Sequence, residues 1–480
     1  MKKGQITIYL ALVFTLILSV FLSAFEAARG SHLKIKMENA VQTAIHSTFG
    51  EYHKVLFERY GLLFVDTSYM SQTPDYHKME ERMGEYLEYN LKPEEEQNLL
   101  FARDWYDVQD YNLSLTNIRL ATDDWGNVMK QQAVNYMQNY VGGDIIQNIQ
   151  SWITVVERYE INSEMFENYQ EEVAKKAEEA WEENNLLGTE WCTSVGLPTL
   201  DFQSEYMDSL LPQEADYELF GISIKVFNPL EHASYRWKIQ GTEALEEKEW
   251  DITEELFFGE YILQKMGYYQ NVREGSKLDY QVEYILFGQI QDSLNLACMA
   301  EALFTFRGAA NLTMLLADAQ TQETIKAISQ LAALVEIPPQ VVEAIINICW
   351  AAAESAYDVK QIMAGEKIPL LKAPKDFSVS INGIMKEIPE KLVGKDAETN
   401  PVITENFELG YEDYLRIFLF FLPSVFKTYR CMDMMEADIR MTKGNEYFRM
   451  DACADSISVE VGIISGYDHF YSMERKYAYY

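Results

Sequence analysis

The chain has 480 residues, 48% of them hydrophobic, and its 75 acidic side chains against 40 basic ones give a formal charge of −35. A field of that sign repels phosphate backbones, which excludes nucleic acid as a partner, and it repels anionic headgroups, so any membrane attachment must come from an inserted segment. The length exceeds one typical core, and 31 Tyr with 24 Phe supply large apolar bodies with polar tips, which argues against disorder.

After Met1-Lys2-Lys3-Gly4 comes an uncharged run from Gln5 to Phe25, QITIYLALVFTLILSVFLSAF. At helical rise its roughly 21 residues reach about 31 Å, the thickness of a bilayer's hydrocarbon core. The run is longer than the apolar region of a usual signal peptide, and its exit, Ser23-Ala24-Phe25-Glu26-Ala27-Ala28, lacks a clean small-x-small cleavage site. It therefore reads as a retained anchor. Lys2 and Lys3 precede it while Arg29, Lys34 and Lys36 follow it, so charge counting leaves the orientation open.

From Glu26 to Tyr60 no proline intervenes, and Leu33, Met37, Ala40, Val41, Ala44, Ile45, Phe49, Tyr52, Val55 and Leu56 follow a helical spacing. It predicts an amphipathic helix continuing the span, with Gly30-Ser31 as a place for a bend and Gly50 for an interruption. Tyr60 to Asp66 then reads as a short buried strand, and Pro74 to Asn90 as a helix with Met79, Met83, Tyr86, Leu87 and Asn90 on one side. Pro93 and Glu94-Glu95-Glu96 form a loop. Alternation at Tyr111, Leu113 and Leu115 that shifts to Ile118 and Leu120 predicts a strand with a bulge. A helix with Val128, Gln132, Tyr136 and Tyr140 follows it.

Residues 144–187 read as further helix, with the stripe Met165, Tyr169, Val173, Ala177 and Trp181 and the i,i+4 pairs Glu171/Lys175 and Glu172/Lys176. Leu186 to Pro229 is punctuated by Gly and Pro and marks a soft boundary, within which Ile222, Ile224 and Val226 suggest a short strand. Thr253 to Met266 reads as helix, and Tyr280, Val282, Tyr284 and Leu286 as a strand ending at Gly288. Long helices are predicted over Asp292–Ala319, Thr321–Val335 and from Pro338-Pro339 to Gly365, the apolar Val341 to Ala353 section being a buried core helix. Tyr411 to Phe426 reads as another core helix, and Glu446–Met450, Ser456–Ile464 and Tyr471–Tyr480 as closing strands.

The resulting fold class is helix-rich α+β with a small sheet. Its parts are a stub at 1–4, a transmembrane helix at 5–25, a juxtamembrane amphipathic helix at 26–60, and a first α+β part with long helices at 61–190. A mixed middle part at 191–290, a helical part at 291–365 and a C-terminal α+β part at 366–480 follow.

Motifs of chemistry are scarce. The chain contains no HExxH, GxSxG, GxxxxGK[ST] or GxGxxG, and its six His have no partners at metal-ligand spacing. Asp66-Thr67-Ser68-Tyr69-Met70 follows a hydrophobic strand, the setting in which a von Willebrand A-type cation site carries DxSxS. Asp66 and Ser68 supply two hard oxygen ligands, but Met70 stands at the third position, so a plain strand-to-turn boundary is the simpler reading. Glu343, Glu354 and Asp358 share one helix face, and Asp433, Glu436 and Asp438 cluster; in so acidic a chain both groups read as solvated faces. Five scattered Cys, with no CxxC, indicate no disulfide framework and read as small buried apolar residues, Cys431 with Cys453 being the pair best placed to form one bridge. No cofactor is expected.

The opening Lys-Lys-Gly-Gln-Ile-Thr-Ile-Tyr-Leu-Ala-Leu, running through one span into a long helix that ends at Tyr60-Gly61-Leu62-Leu63-Phe64-Val65-Asp66, resembles the pilin-like TadE/TadG proteins of tight-adherence (Flp) pilus and secretion-like systems. The chain also resembles an uncharacterised Gram-positive family with one N-terminal span, through Glu283-Tyr284-Ile285-Leu286-Phe287-Gly288 and Met432-Asp433-Met434-Met435-Glu436-Ala437-Asp438-Ile439-Arg440. The resemblance implies a cytoplasmic N-terminus, a large extracytoplasmic domain, and pilus or secretion-system proteins as partners beside the lipid bilayer that residues 5–25 would cross. Prepilin peptidase substrates carry Glu at the fifth position after the cleavage Gly, whereas counting from Gly4 this chain has Tyr9, which argues against processing and filament formation. The expected function is a non-catalytic, membrane-anchored accessory component of a Tad-type apparatus. The alternatives are a membrane-tethered ligand-binding or adhesion module and an extracellular hydrolase without a recognisable motif.

Overall fold

The computed structural model describes residues 2–72, 75–91, 108–140, 142–183, 206, 209–212, 216–217, 219–233, 240–244, 248–332, 337–381, 407–466 and 470–479. Pro74, the predicted loop at Pro93–Glu96, Cys192, Val335, Tyr480 and the 186–205 part of the soft boundary lie outside these residues. The chain forms two compact units, both discontinuous: residues 1–136, 233–249 and 435–480 make the first, and residues 137–232 and 250–434 the second.

The first unit lays a helix on an antiparallel sheet. One uninterrupted helix, Lys2–Gly50, contains the apolar run and the amphipathic stripe, with no break at Gly30-Ser31. Leu33, Met37, Ala40, Val41, Ala44, Ile45 and Phe49 are all buried, as their spacing predicts. They pack with Met79, Met83, Leu87 and Leu91 of the helix His77–Leu91 against Ile457, Val459, Val461 and Ile463 of the strand Cys453–Ser465. The expected juxtamembrane helix does not reach residue 60. It ends at Gly50, and a separate short helix, Lys54–Tyr60, begins under a His53 cap whose Nδ1 accepts the Leu56 N–H at 3.1 Å. Gly61 closes that helix at φ +73°, with the Tyr136 ring so near that a Cβ would lie 2.3 Å from it.

Cys453–Ser465 is the central strand. Val108–Leu120 runs antiparallel along one side of it, with Leu113 opposite Val461, Leu115 opposite Val459 and Ile118 opposite Ile457. The register shifts between Leu115 and Asn117, where the change of apolar phase predicts a bulge. Phe470–Ala478 pairs along the other side from Ser456 to Ile464, and the two-residue strand Val65–Asp66 pairs with Ala454 and Cys453. Only Val65 and Asp66 of the predicted Tyr60–Asp66 strand enter the sheet; Leu62 and Phe64 are buried outside it. The expected strand at Glu446–Met450 is instead a turn leading into a 3-10 helix, Met450–Ala452.

The second unit is helical. Asp292–Ala317 packs along Pro339–Met363, flanked by Ser163–Glu183 and Ala319–Ala332. Pro339 in the first turn and Gly365 at φ +97° just past the end delimit the Pro339–Met363 helix as predicted, and its Val341–Ala353 section is largely buried. A second group joins Gly143–Arg158, Ile252–Lys265 and Tyr411–Phe421, with Ile146, Ile149, Ile153 and Leu256 at its centre. After Pro423 the chain resumes as the helix Ser424–Arg440.

Two predicted strands take other forms. Tyr280 to Leu286, which alternates like a strand, forms the helix Gln281–Phe287. Alternation marks a strand when one face meets water, and here Gln281 to Leu286 are all buried. The buried polar side chains have partners: Gln281 Oε1 accepts the Gly267 N–H at 3.0 Å. Gly288 at φ +70° ends the helix, and Arg430 donates to the terminal carbonyls of Ile285 and Leu286 at 2.9 and 2.7 Å. At Ile222 to Val226 the chain makes only a single bridge, from Val226 to Gln291, and Ile224 and Val226 are exposed.

Candidate functional site

Residues 6–25 of the first helix present a continuous exposed apolar surface. Every residue from Ile6 to Phe25 is exposed, Leu10, Phe14 and Phe21 to between 61% and 67%. Two polar side chains within the run fold back onto the helix: Thr15 Oγ1 donates to the Leu12 carbonyl at 2.9 Å and Ser19 Oγ to the Leu16 carbonyl at 2.8 Å. A surface of this extent is unfavourable in water, whereas lipid tails accept it because the backbone is already hydrogen-bonded within the helix. Among the described residues this helix alone is long and apolar enough to cross a membrane. Continuous burial of one face begins at Leu33, so the same helix changes surroundings along its length.

Asp66 and Ser68, the candidate cation ligands, are engaged in a turn. Asp66 Oδ1 accepts from the Ser68 N–H at 2.9 Å and from its hydroxyl at 2.6 Å, while Oδ2 accepts the Met70 N–H at 2.8 Å. Tyr69 and Met70 have positive φ, of 46° and 61°, and the carboxylate clamps that turn just after Val65–Asp66 leaves the sheet. Asp66→Ala is therefore expected to cost about 1–2 kcal/mol by leaving buried N–H groups unmatched. Urea denaturation with and without Mg²⁺ checks this: a loss that is the same in both conditions fits a turn clamp, and a loss confined to Mg²⁺ would fit a cation site.

Contrary to expectation, the two acidic groups that the sequence presents as solvated faces are mostly buried. In the second unit Glu354 and Asp358 are inaccessible, as are Arg307 and, nearly so, Lys372. Arg307 donates to Asp358 Oδ2 through Nε at 3.0 Å and Nη2 at 2.7 Å, and to the Pro369 and Leu370 carbonyls at 3.0 and 2.7 Å. Lys372 bonds both Glu354 and, at 2.5 Å, Asp358 Oδ1. Asn311 links Asp358 to Ser355, and the Ser378 and Val379 N–H groups donate to Glu354. Two cations thus neutralise two carboxylates. Burial pushes Asp358 up, but Arg307 and Lys372 outweigh it and hold its carboxyl below the usual range. Glu343, nearer the start of the same helix, is partly exposed and accepts from Ser329 at 3.1 Å.

The second group divides along the helix Ser424–Arg440. Asp433 accepts the Tyr284 hydroxyl at 3.2 Å; Glu436 accepts the Met450 N–H at 2.9 Å and pairs with Arg440; Asp438 accepts the Tyr60 hydroxyl at 2.9 Å. All three are buried. Acidic side chains abound in the sequence, and nothing in their spacing distinguishes a buried acid from a solvated one. The partners lie far along the chain, Arg307 among apolar neighbours in Leu303-Phe304-Thr305-Phe306-Arg307-Gly308. A single charge inside an apolar helix is the sequence signal that could have found that network.

Glu283 is a further buried carboxylate. Its Oε1 accepts the Tyr411 hydroxyl at 2.6 Å and the Tyr269 N–H at 2.9 Å, and its Oε2 has no hydrogen-bond partner among the described residues. Burial pushes it up to about 7 against those two donors. Cys298, Cys349, Cys431 and Cys453 are thiols, the last three buried, so the Cys431–Cys453 bridge is not formed. Among the described residues no three His, Cys, Asp or Glu converge to hold a metal ion. Through Arg307 and Asp358 the buried network ties the helix Asp292–Ala317 to the helix Pro339–Met363.

A family model described as a family of unknown function (DUF5702) matches residues 210–465, and the chain belongs to that family. The matched region contains Glu283, Arg307, Glu354, Asp358 and Lys372 but not the helix Lys2–Gly50. No curated protein and no solved structure matches the chain.

Proposed function

We propose that this DUF5702 protein is a non-catalytic, membrane-anchored component that serves as an accessory, pilin-like part of a Tad-type pilus or secretion apparatus, its N-terminus cytoplasmic and its folded units outside. The observation that carries the reading is the helix Lys2–Gly50. Its first half is exposed and apolar, and its second half is buried against an antiparallel sheet without an intervening hinge. Such a helix couples the position of the first unit to the bilayer, as a mounting for an assembly requires. The pilus assignment rests on the resemblance of the N-terminal residues, and Tyr9 in place of Glu favours an anchor that stays in the membrane over a filament subunit.

Deleting residues 2–25 is expected to move the protein from the carbonate-resistant membrane fraction to the soluble fraction while leaving its unfolding midpoint nearly unchanged, because the buried face starts only at Leu33. Full-length protein released by carbonate would sink the anchor. Cross-linking in intact cells followed by mass spectrometry tests the assembly role: recovery of pilus or secretion components above an unrelated single-span control supports it, and their absence overturns it. External protease should remove the folded units from intact cells; full protection would reverse the orientation.

A further inference from the structure

The second unit contains a cleft of about 440 Å³ whose lining includes Phe306, Phe418 and Phe421, with Ile161, Glu157 and Glu160 at one side. We infer that it is a docking site for a basic amphipathic peptide segment of a partner protein, one apolar side chain entering among the three Phe rings while Lys or Arg beside it pairs with Glu157 and Glu160. This goes beyond the anchoring role and does not depend on it, since the cleft lies wholly within the second unit.

The floor is aromatic and fixed. Phe306 and Phe418 meet edge to face with centroids 5.7 Å apart, Phe306 in turn meets Tyr414 at 5.8 Å, and Ile161 is buried. Phe421, in contrast, remains 49% exposed. The volume suits one or two side chains and lies toward the small end of the range for pockets that enclose a whole ligand.

The rim selects charge. The turn between the helices Gly143–Arg158 and Ser163–Glu183 satisfies its own backbone: the Tyr159 N–H donates to Val155, Ile161 to Val156, Glu160 to Glu157, and Asn162 caps the next helix by accepting the Met165 N–H at 2.7 Å. That leaves the carboxylates of Glu157 and Glu160 as exposed groups on the rim. Glu160 is held at φ +50°, and Glu157 lies in the last turn of its helix, where the dipole also favours a cation. Aromatic ring faces attract cations as well, and a chain of net charge −35 draws basic segments and rejects acidic ones. Arg158 lies between the two acids in sequence but does not line the cleft.

The test uses full-length protein in zwitterionic lipid nanodiscs, with empty nanodiscs as the blank. The probes are a short fluorescein-labelled Lys/Leu peptide with a benzophenone at one apolar position and a Glu/Leu peptide of the same pattern. The Lys/Leu peptide is expected to bind saturably, more weakly at high salt, and to cross-link to residues 156–163 or 418–421, while the Glu/Leu peptide does not bind. The double variant Glu157→Gln/Glu160→Gln should weaken binding about tenfold and flatten its salt dependence, and Phe421→Ala should weaken it about tenfold or more. Equal binding of both peptides, cross-links elsewhere, or an affinity unchanged in the charge variant would overturn the proposal. So would self-association through the cleft, seen by sedimentation and lost in Phe421→Ala. The charge variant alters only exposed side chains, so the proposal stays testable if Phe421→Ala fails to fold.

Discussion

Arg307→Ala is expected to destabilise the second unit by about 3–5 kcal/mol, the usual consequence of removing one partner from a buried ion pair. Arg307 is inaccessible, and its guanidinium serves Asp358, two backbone carbonyls and the Tyr414 hydroxyl at once. Without it, Lys372 alone faces Glu354 and Asp358, so one negative charge is left buried without compensation, and the Pro369 and Leu370 carbonyls lose their donor. Guanidinium denaturation of the single and double variants separates these contributions. Arg307→Met combined with Asp358→Leu should cost clearly less than the sum of the two single changes, because the double variant restores neutrality. A single-variant loss below about 1 kcal/mol would mean that water reaches this cluster and that it does not hold the helices Asp292–Ala317 and Pro339–Met363 together.

Glu283→Gln is expected to remove a pH dependence worth up to about 3 kcal/mol. The folded-state value is raised from 4.5 to about 7, chiefly by burial. Between those values the folded chain keeps a proton that the unfolded chain sheds, so stability contributed by the neutral carboxyl is present in full below 4.5 and is lost as pH rises through 7. Gln copies the neutral form, with a hydrogen-bond acceptor for Tyr411 and Tyr269 and no charge to bury. The wild-type protein should therefore lose stability relative to Glu283→Gln from about pH 4.5 upward and level off above about 7, with the variant the more stable at about pH 8. Unfolding free energies of the two proteins across that range decide this; parallel curves would refute it.

The long elements were legible because each presents one buried face at a regular interval. Leu33 to Phe49 spells out the face of one helix, and the phase change between Leu115 and Ile118 corresponds to a real shift in register against the strand Cys453–Ser465. Pro339 and Gly365 mark the ends of a helix through backbone properties that need no tertiary context. The strand reading of Tyr280 to Leu286 failed where that logic stops applying: a segment buried on all sides has no polar face for a period to report.

By itself, then, the amino-acid order determined the apolar helix long enough for a membrane, the amphipathic continuation and the helix-rich α+β class, because each follows from the spacing of side chains within one segment. Only the tertiary structure decided which acids are buried, that Asp66 and Ser68 clamp a turn, and that Phe306, Phe418 and Phe421 meet two carboxylates around one cleft. Those outcomes depend on partners far apart in the chain: Arg307 meets Asp358 across 51 residues, and Glu283 meets Tyr411 across 128. A carboxylate's burial is set by what packs over it, and no local pattern records that.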